Sequence, residues 1–146
     1  MTKEKSLDLS TLDTTAACDK GAEIELLHPV TNAPLGIFIS VLGKDSTTFK
    51  EYLRQKINED IRRSAMAKKA GKQEPMRLIE ESESRGIELL VVCTLGWRTG
   101  DKSTITFKGN DLEFNVPNAK LLYESLSWIK EQVDNGLGDL ENFMKS

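Results

Sequence analysis

Reactive side chains are scarce in this chain. It has one histidine, His28, and two cysteines, Cys18 and Cys93, among 146 residues. A lone histidine beside Pro29 does not suit an imidazole-based catalytic centre, and it reads as a turn-capping or surface residue. Two distant cysteines and one histidine cannot supply the four ligands of a structural zinc site. No metal or other cofactor is therefore expected, and the chain is expected not to be an enzyme. One cysteine stands in a polar leader and the other in an apolar run, which fits free thiols in a reducing cytoplasm better than a disulfide. No apolar stretch approaches the roughly 20 residues of a membrane span. The first ten residues have neither the apolar core nor the cleavage site of a signal peptide. A formal net charge of -3 gives no overall attraction to nucleic acid. Phosphate-loop spacing also fails around Gly43-Lys44, where Phe38 stands in place of the first glycine and Asp45 in place of the hydroxyl residue. The dinucleotide, nucleophile-elbow and zinc-protease signatures are missing as well.

What the chain does have is one long apolar run, Ile87 to Leu95, interrupted by Glu88 and Thr94. Read alone, such a run fits a buried strand or a buried helix. The preceding Met76–Arg85 stretch is rich in helix formers, Pro75 suits a first helical turn, and Gly96 suits a stop. These flanks predict one helix from about Pro75 to Leu95. Gly86 weakens it by about 1 kcal/mol relative to alanine.

The residues before this run organise around it. Met1 to Lys20 is polar with isolated Leu7, Leu9 and Leu12, and predicts a flexible N-terminal arm. From residue 21 to 146 the pattern predicts a single α+β domain, mainly helical. Glu23–Leu27 and Ile37–Leu42 alternate as the strands of a hairpin whose long connection holds Pro29, Asn32 and Pro34. Asp45 or Ser46 can cap a long helix over about Ser46 to Ala70, roughly 38 Å at 1.5 Å per residue. Its Phe49, Leu53, Ile57, Ile61 and Ala65 recur every fourth residue, and predict a stripe facing the core. A turn at Gly71–Glu74 then folds the two long helices into a hairpin. Ser103–Phe107 and Leu112–Phe114 predict a small β-pair. Short C-terminal helices follow, one starting near Pro117 or Asn118, an interruption at Gly136 and Gly138, and a last one over Asp139–Lys145.

Three groups merit weighing as sites. Glu80, Glu81 and Glu83 read as a solvated helical face paired with Arg77 and Arg85, and not as an acid pair for catalysis. Arg62, Arg63, Lys68, Lys69 and Lys72 form a basic face, but no aromatic is interleaved and Glu59, Asp60 and Glu74 dilute it, so an acidic protein suits it better than nucleic acid. Leucines 7, 9 and 12 of the arm, with Leu140, Phe143 and Met144 at the other end, are the candidate partner-binding residues, since Met and Phe suit adaptable surfaces. Trp97 and Trp128 are expected in the core.

Four stretches together carry a family resemblance. They are Gly21 to Gly36 with its Leu26-Leu27-His28-Pro29-Val30 centre, Val41 to Ser46, Ile87 to the Gly96-Trp97 pair, and Leu112 to Tyr123 followed by Trp128-Ile129. In these the chain resembles the small tail assembly chaperones of long-tailed bacteriophages. The resemblance implies a protein of the host bacterial cytoplasm that binds the tape measure protein, keeps it soluble and helps tail tube subunits assemble around it. It also implies the tape measure and tail tube proteins as partners, and a homo-oligomer is compatible with it. No catalytic signature is shared, and no site residue carries over. A structural virion component, such as a tail tube or head–tail connector subunit, and a nucleic-acid-binding regulator remain the alternatives.

Overall fold

A computed structural model of the protein describes residues 6–71 and 79–144, with only the backbone described at 79–81. The architecture is α+β and mainly helical, with five α-helices and five strands in two antiparallel sheets among the described residues. The order is a 3-10 turn Leu9–Leu12, α1 Thr14–Lys20, β1 Ala22–Leu27, β2 Pro34–Val41, α2 Thr47–Lys69, α3 Ile79–Cys93, β3 Thr94–Thr99, β4 Thr104–Phe107, β5 Asn110–Glu113, α4 Val116–Ser125, α5 Ser127–Gly138 and a final 3-10 turn Leu140–Asn142.

The first sheet has the order β1-β2-β3. Ile39 pairs with Ile24 on one side and with Trp97 on the other. Alternation sends Ile39, Val41, Leu26 and Trp97 into the core, where α3 contributes Leu90 and Cys93, α4 contributes Leu122 and Tyr123, and α5 contributes Val133 and Leu137. The opposite face of the sheet is polar. There the Arg98 guanidinium holds Glu23 through bonds of 2.7 and 3.0 Å and lies 4.0 Å over the Phe38 ring. The β4-β5 pair turns at Lys108 and Gly109, both with positive φ (51° and 78°), as a two-residue hairpin turn requires. Trp97 anchors this pair by donating its indole N–H to the Leu112 carbonyl at 3.0 Å and meeting Phe114 edge-on.

Several expectations need correction. The run Ile87–Leu95 is helical only to Cys93, and the residues from Thr94 are the third strand of the sheet. Thr94 makes the switch. Its hydroxyl donates to Leu90 O at 2.6 Å, closing the last helical turn, while the following residues pair with β2. Gly96, read as a helix stop, is a strand residue opposite Ser40. Gly136, read as an interruption, lies inside α5, because α5 crosses Ile24 so closely that an added Cβ would sit 2.1 Å from its terminal methyl. The last helix shrinks to the 3-10 turn Leu140–Asn142. The start of α3 at Pro75 and the turn Gly71–Glu74 fall largely outside the described residues.

The expected arm over residues 1–20 is partly a packed element. α1 is capped by Asp13, which accepts from the Ala16 amide at 2.9 Å, and it buries Cys18 completely. Cys18 reaches the backbone of Gly43, where a Cβ would come within 2.4 Å of its sulfur. Of the two candidate caps for α2, Asp45 or Ser46, Asp45 is the anchor for α1: Thr14 and Thr15 both donate their hydroxyls to it, and Lys50 pairs with it at 2.9 Å. Ser46 takes the cap, accepting from the Phe49 amide at 3.2 Å.

The largest correction concerns α2. Phe49 and Tyr52 meet the body, but Leu53, Ile57 and Ile61 are 41, 56 and 62% exposed. Residues four apart advance about 40° around a helix with ~3.6 residues per turn, so the row wraps away from the body as it runs along. α2 contacts α3 through polar groups instead. Lys56 approaches Glu88 at 3.6 Å, and Asp60 binds the Arg85 guanidinium at 3.1 and 3.2 Å. These pairings run in opposite directions along the two helices, so they form the expected antiparallel hairpin.

Candidate functional site

Three surfaces concentrate exposed apolar side chains. The first is a notch where α3 passes the N-terminus of α4. Asn115 caps α4 by accepting from the Asn118 amide at 2.8 Å, and Pro117 fits the first turn. This cap sets Val116 at the rim, 63% exposed, facing Val92, which is 42% exposed. Val91, Thr94, Phe114 and Lys120 complete a cavity of about 450 Å³ with a mainly apolar lining. Glu88 and Val92 are shared with a second, shallower depression of about 550 Å³ between α3 and α2, lined by Thr48, Glu51, Tyr52 and Gln55. Glu88 and Val92 thus stand between the two, and the notch between α3 and α4 is the deeper and more apolar groove.

Charges sit at the edges of this groove. Glu88 is held by Lys56, and Lys120 approaches Glu124 at 4.0 Å. Tyr52 has its hydroxyl pKa pushed up to about 12, first by burial and then by the neighbouring Glu88 carboxylate, so it stays a neutral donor, directed at the Arg85 carbonyl 3.4 Å away. The groove presents an apolar floor with fixed polar edges, an arrangement that seats an amphipathic helix or an apolar side chain.

The second surface is the row Leu53, Ile57 and Ile61 on the opposite flank of α2. The third is the N-terminal turn, where Leu7, Leu9 and Leu12 are 68, 73 and 50% exposed. Asp8 organises that turn by accepting from the Ser10 amide at 3.0 Å.

The sequence-predicted sites fare unevenly. The three N-terminal leucines are exposed, as a docking element needs. At the other end Leu140 is 44% exposed, but Phe143 is 8% exposed and packs against Gly43 in the core. Phe143 is therefore a structural residue, drawn in because Leu140–Asn142 folds back over β1, and Met144 is half-buried beside it. Of the basic face, Arg62, Lys68 and Lys69 are exposed and Arg63 binds Asp60 at 3.1 Å, while Lys72 lies outside the described residues, as does Arg77. Glu83 is exposed, and the side chains of Glu80 and Glu81 are likewise outside them. His28 closes the β1-β2 connection, its Nδ1 accepting from the amides of Val30 and Thr31 at 3.1 and 3.2 Å.

Among the described residues no three or more His, Cys, Asp or Glu side chains are grouped closely enough to hold a metal ion, and no helix is long and apolar enough to cross a membrane. Both cysteines are free and buried, and burial pushes the Cys93 thiol up to about 11. Sequence reasoning missed the α3–α4 notch. Its signal was present in Val92 and Val116, apolar residues on the polar side of their helices, but their proximity depends on how α4 crosses α3.

No family model, curated protein or solved structure matches this chain.

Proposed function

We propose that the protein is a non-enzymatic bacteriophage tail assembly chaperone, which binds the tape measure protein in the host cytoplasm and promotes assembly of the tail tube around it. The observation that supports this reading best is the groove along α3. Its apolar lining is Val91, Val92, Phe114 and Val116, between α3 and the start of α4. A tape measure protein is long and helical, as the family resemblance implies. A client of that kind offers one apolar face repeatedly, and an exposed apolar notch accepts side chains of such a face one segment at a time. Many weak seats along one client give strong retention through effective concentration.

The test is co-expression of this chain with the tape measure protein of its own genome. The reading predicts that the tape measure protein becomes soluble and co-purifies, and that Val92→Asp with Val116→Asp abolishes this while the folded signal of the chaperone is unchanged. Stoichiometric copies of the chain in purified virions would point to a structural component and overturn the reading.

A further inference from the structure

We propose that the C-terminal end of α2 is a docking surface for an acidic amphipathic helix of a partner protein. Between Ile61 and Gly71 the chain carries four cations, Arg62, Arg63, Lys68 and Lys69, and no carboxylate, although its net charge is -3. All four are exposed. The last carbonyls of a helix carry partial negative charge and favour cations, but that effect is confined to the final turn. It accounts for Lys68 and Lys69, in the last turn of α2. It does not account for Arg62 and Arg63, which precede Lys69 by about two turns. Arg63 is used within the fold, where it binds Asp60 at 3.1 Å. Arg62, Lys68 and Lys69 have no ion-pair partner among the described residues.

The spacing of these groups selects the partner. At ~100° per residue, Arg62, Met66 and Lys69 fall within about 60° of arc, one above the other along the helix. Met66 is 66% exposed between the two cations. An exposed thioether adapts its shape to the apolar side chain that meets it. Arg62 and Lys69 stand roughly 10 Å apart along the axis at ~1.5 Å per residue. Carboxylates two turns apart on a partner helix, with an apolar residue between them, repeat that spacing and meet both cations while covering Met66. Lys68, about 100° round the helix from Lys69, is left to a carboxylate on the partner's flank. Nucleic acid fits this surface less well. No aromatic side chain lies between Leu53 and Gly71 to stack on a base. A few free cations neutralise only a few phosphates, and a chain of net negative charge repels a long polyanion beyond them. The surface is separate from the α3–α4 notch, so this proposal stands or falls apart from the function proposed above.

The test is fluorescence anisotropy of the full chain with a labelled helical peptide of about 14 residues, its glutamates two turns apart with leucines between them. Binding is expected in roughly the 10–100 μM range, weakening about tenfold as salt rises from about 0.05 to 0.5 M, because the charges are exposed. Arg62→Glu with Lys69→Glu should weaken it at least tenfold. Lys20→Glu with Lys102→Glu, an equal change of net charge at exposed positions elsewhere, should leave it unchanged. A peptide with lysines in place of the glutamates should bind the Arg62→Glu, Lys69→Glu variant and not the wild type, which shows that the variant is folded and that the contact is made at these positions. No binding of the acidic peptide up to about 1 mM would overturn the proposal. So would an equal loss in the two charge variants, or an oligothymidylate of similar length that binds as tightly as the peptide.

Discussion

Thr94 and Tyr123 meet inside the core with their hydroxyls 2.8 Å apart, and Thr94 also donates to the Leu90 carbonyl. Burial pushes the Tyr123 hydroxyl up to about 12, so it remains a neutral partner across the physiological range. Thr94→Val leaves the Tyr123 hydroxyl without this partner, and we predict a loss of about 1–3 kcal/mol in urea unfolding. Adding Tyr123→Phe removes the orphaned group, so the double variant should lose clearly less than the sum of the singles. Gly136→Ala is the second residue-level case. Helix propensity alone would make it stabilising by about 1 kcal/mol. Because the new Cβ would meet Ile24 at 2.1 Å, we predict the opposite sign, a loss of about 1–3 kcal/mol, partly relieved by Ile24→Val. An unchanged or higher midpoint would show that α5 does not cross β1 as described. Asp45 gives a pH prediction. The Thr14 hydroxyl, then Lys50, hold its carboxyl down at about 2, below the ordinary value of 3.8. A depressed acid stabilises the native arrangement above its ordinary value, and that contribution disappears as pH falls through its folded value. The amide resonances of Thr14 and Thr15 should therefore shift as pH drops from about 4 to 2, and Asp45→Asn should remove that transition.

At the scale of elements, the hairpin β1-β2 was legible in alternation, and the helical character of α2 and of residues 79–93 was legible in composition and caps. Ser46 announced its helix because a short side-chain oxygen before a helical stretch has one obvious use, whereas α4, expected to start near Pro117 or Asn118, is capped by Asn115. The end of α3 was not legible. Nothing local distinguishes Thr94-Leu95 from one more helical turn, and it is pairing with β2, a partner more than 50 residues away, that draws the chain into a strand. The direction of the α2 stripe was misread for a simpler reason. A four-residue repeat identifies a helix, but it does not keep one face toward the body over five turns. The groove was hidden because it lies between elements and belongs to none of them. This view of α2 makes a stability prediction. Ile57→Ala and Ile61→Ala should each change unfolding free energy by no more than about 0.5 kcal/mol, whereas Leu122→Ala in the core should cost about 2–5 kcal/mol. Large losses at the α2 positions would mean that the row is part of the core after all.

For the whole molecule, the division is between a compact body and a projecting hairpin. The sheet and α3, α4 and α5 enclose a continuous apolar core. The α2–α3 pair is joined to it at one end and held to itself by ion pairs such as Asp60–Arg85. Such partly exposed pairs contribute modestly, so the hairpin does not owe its shape to them alone and relies on its attachment at Phe49, Tyr52 and Leu90. Such a projection leaves both the α3 groove and the α2 row open to solvent. The claim on which this picture turns is that the α3 groove seats the tape measure protein. Its most direct measurement is the soluble fraction of that protein when co-expressed with wild type and with the Val92→Asp, Val116→Asp variant. The account predicts solubilisation and co-purification with the wild type and a return to the insoluble fraction with the variant. Equal solubility with wild type, with variant and with no partner would contradict it.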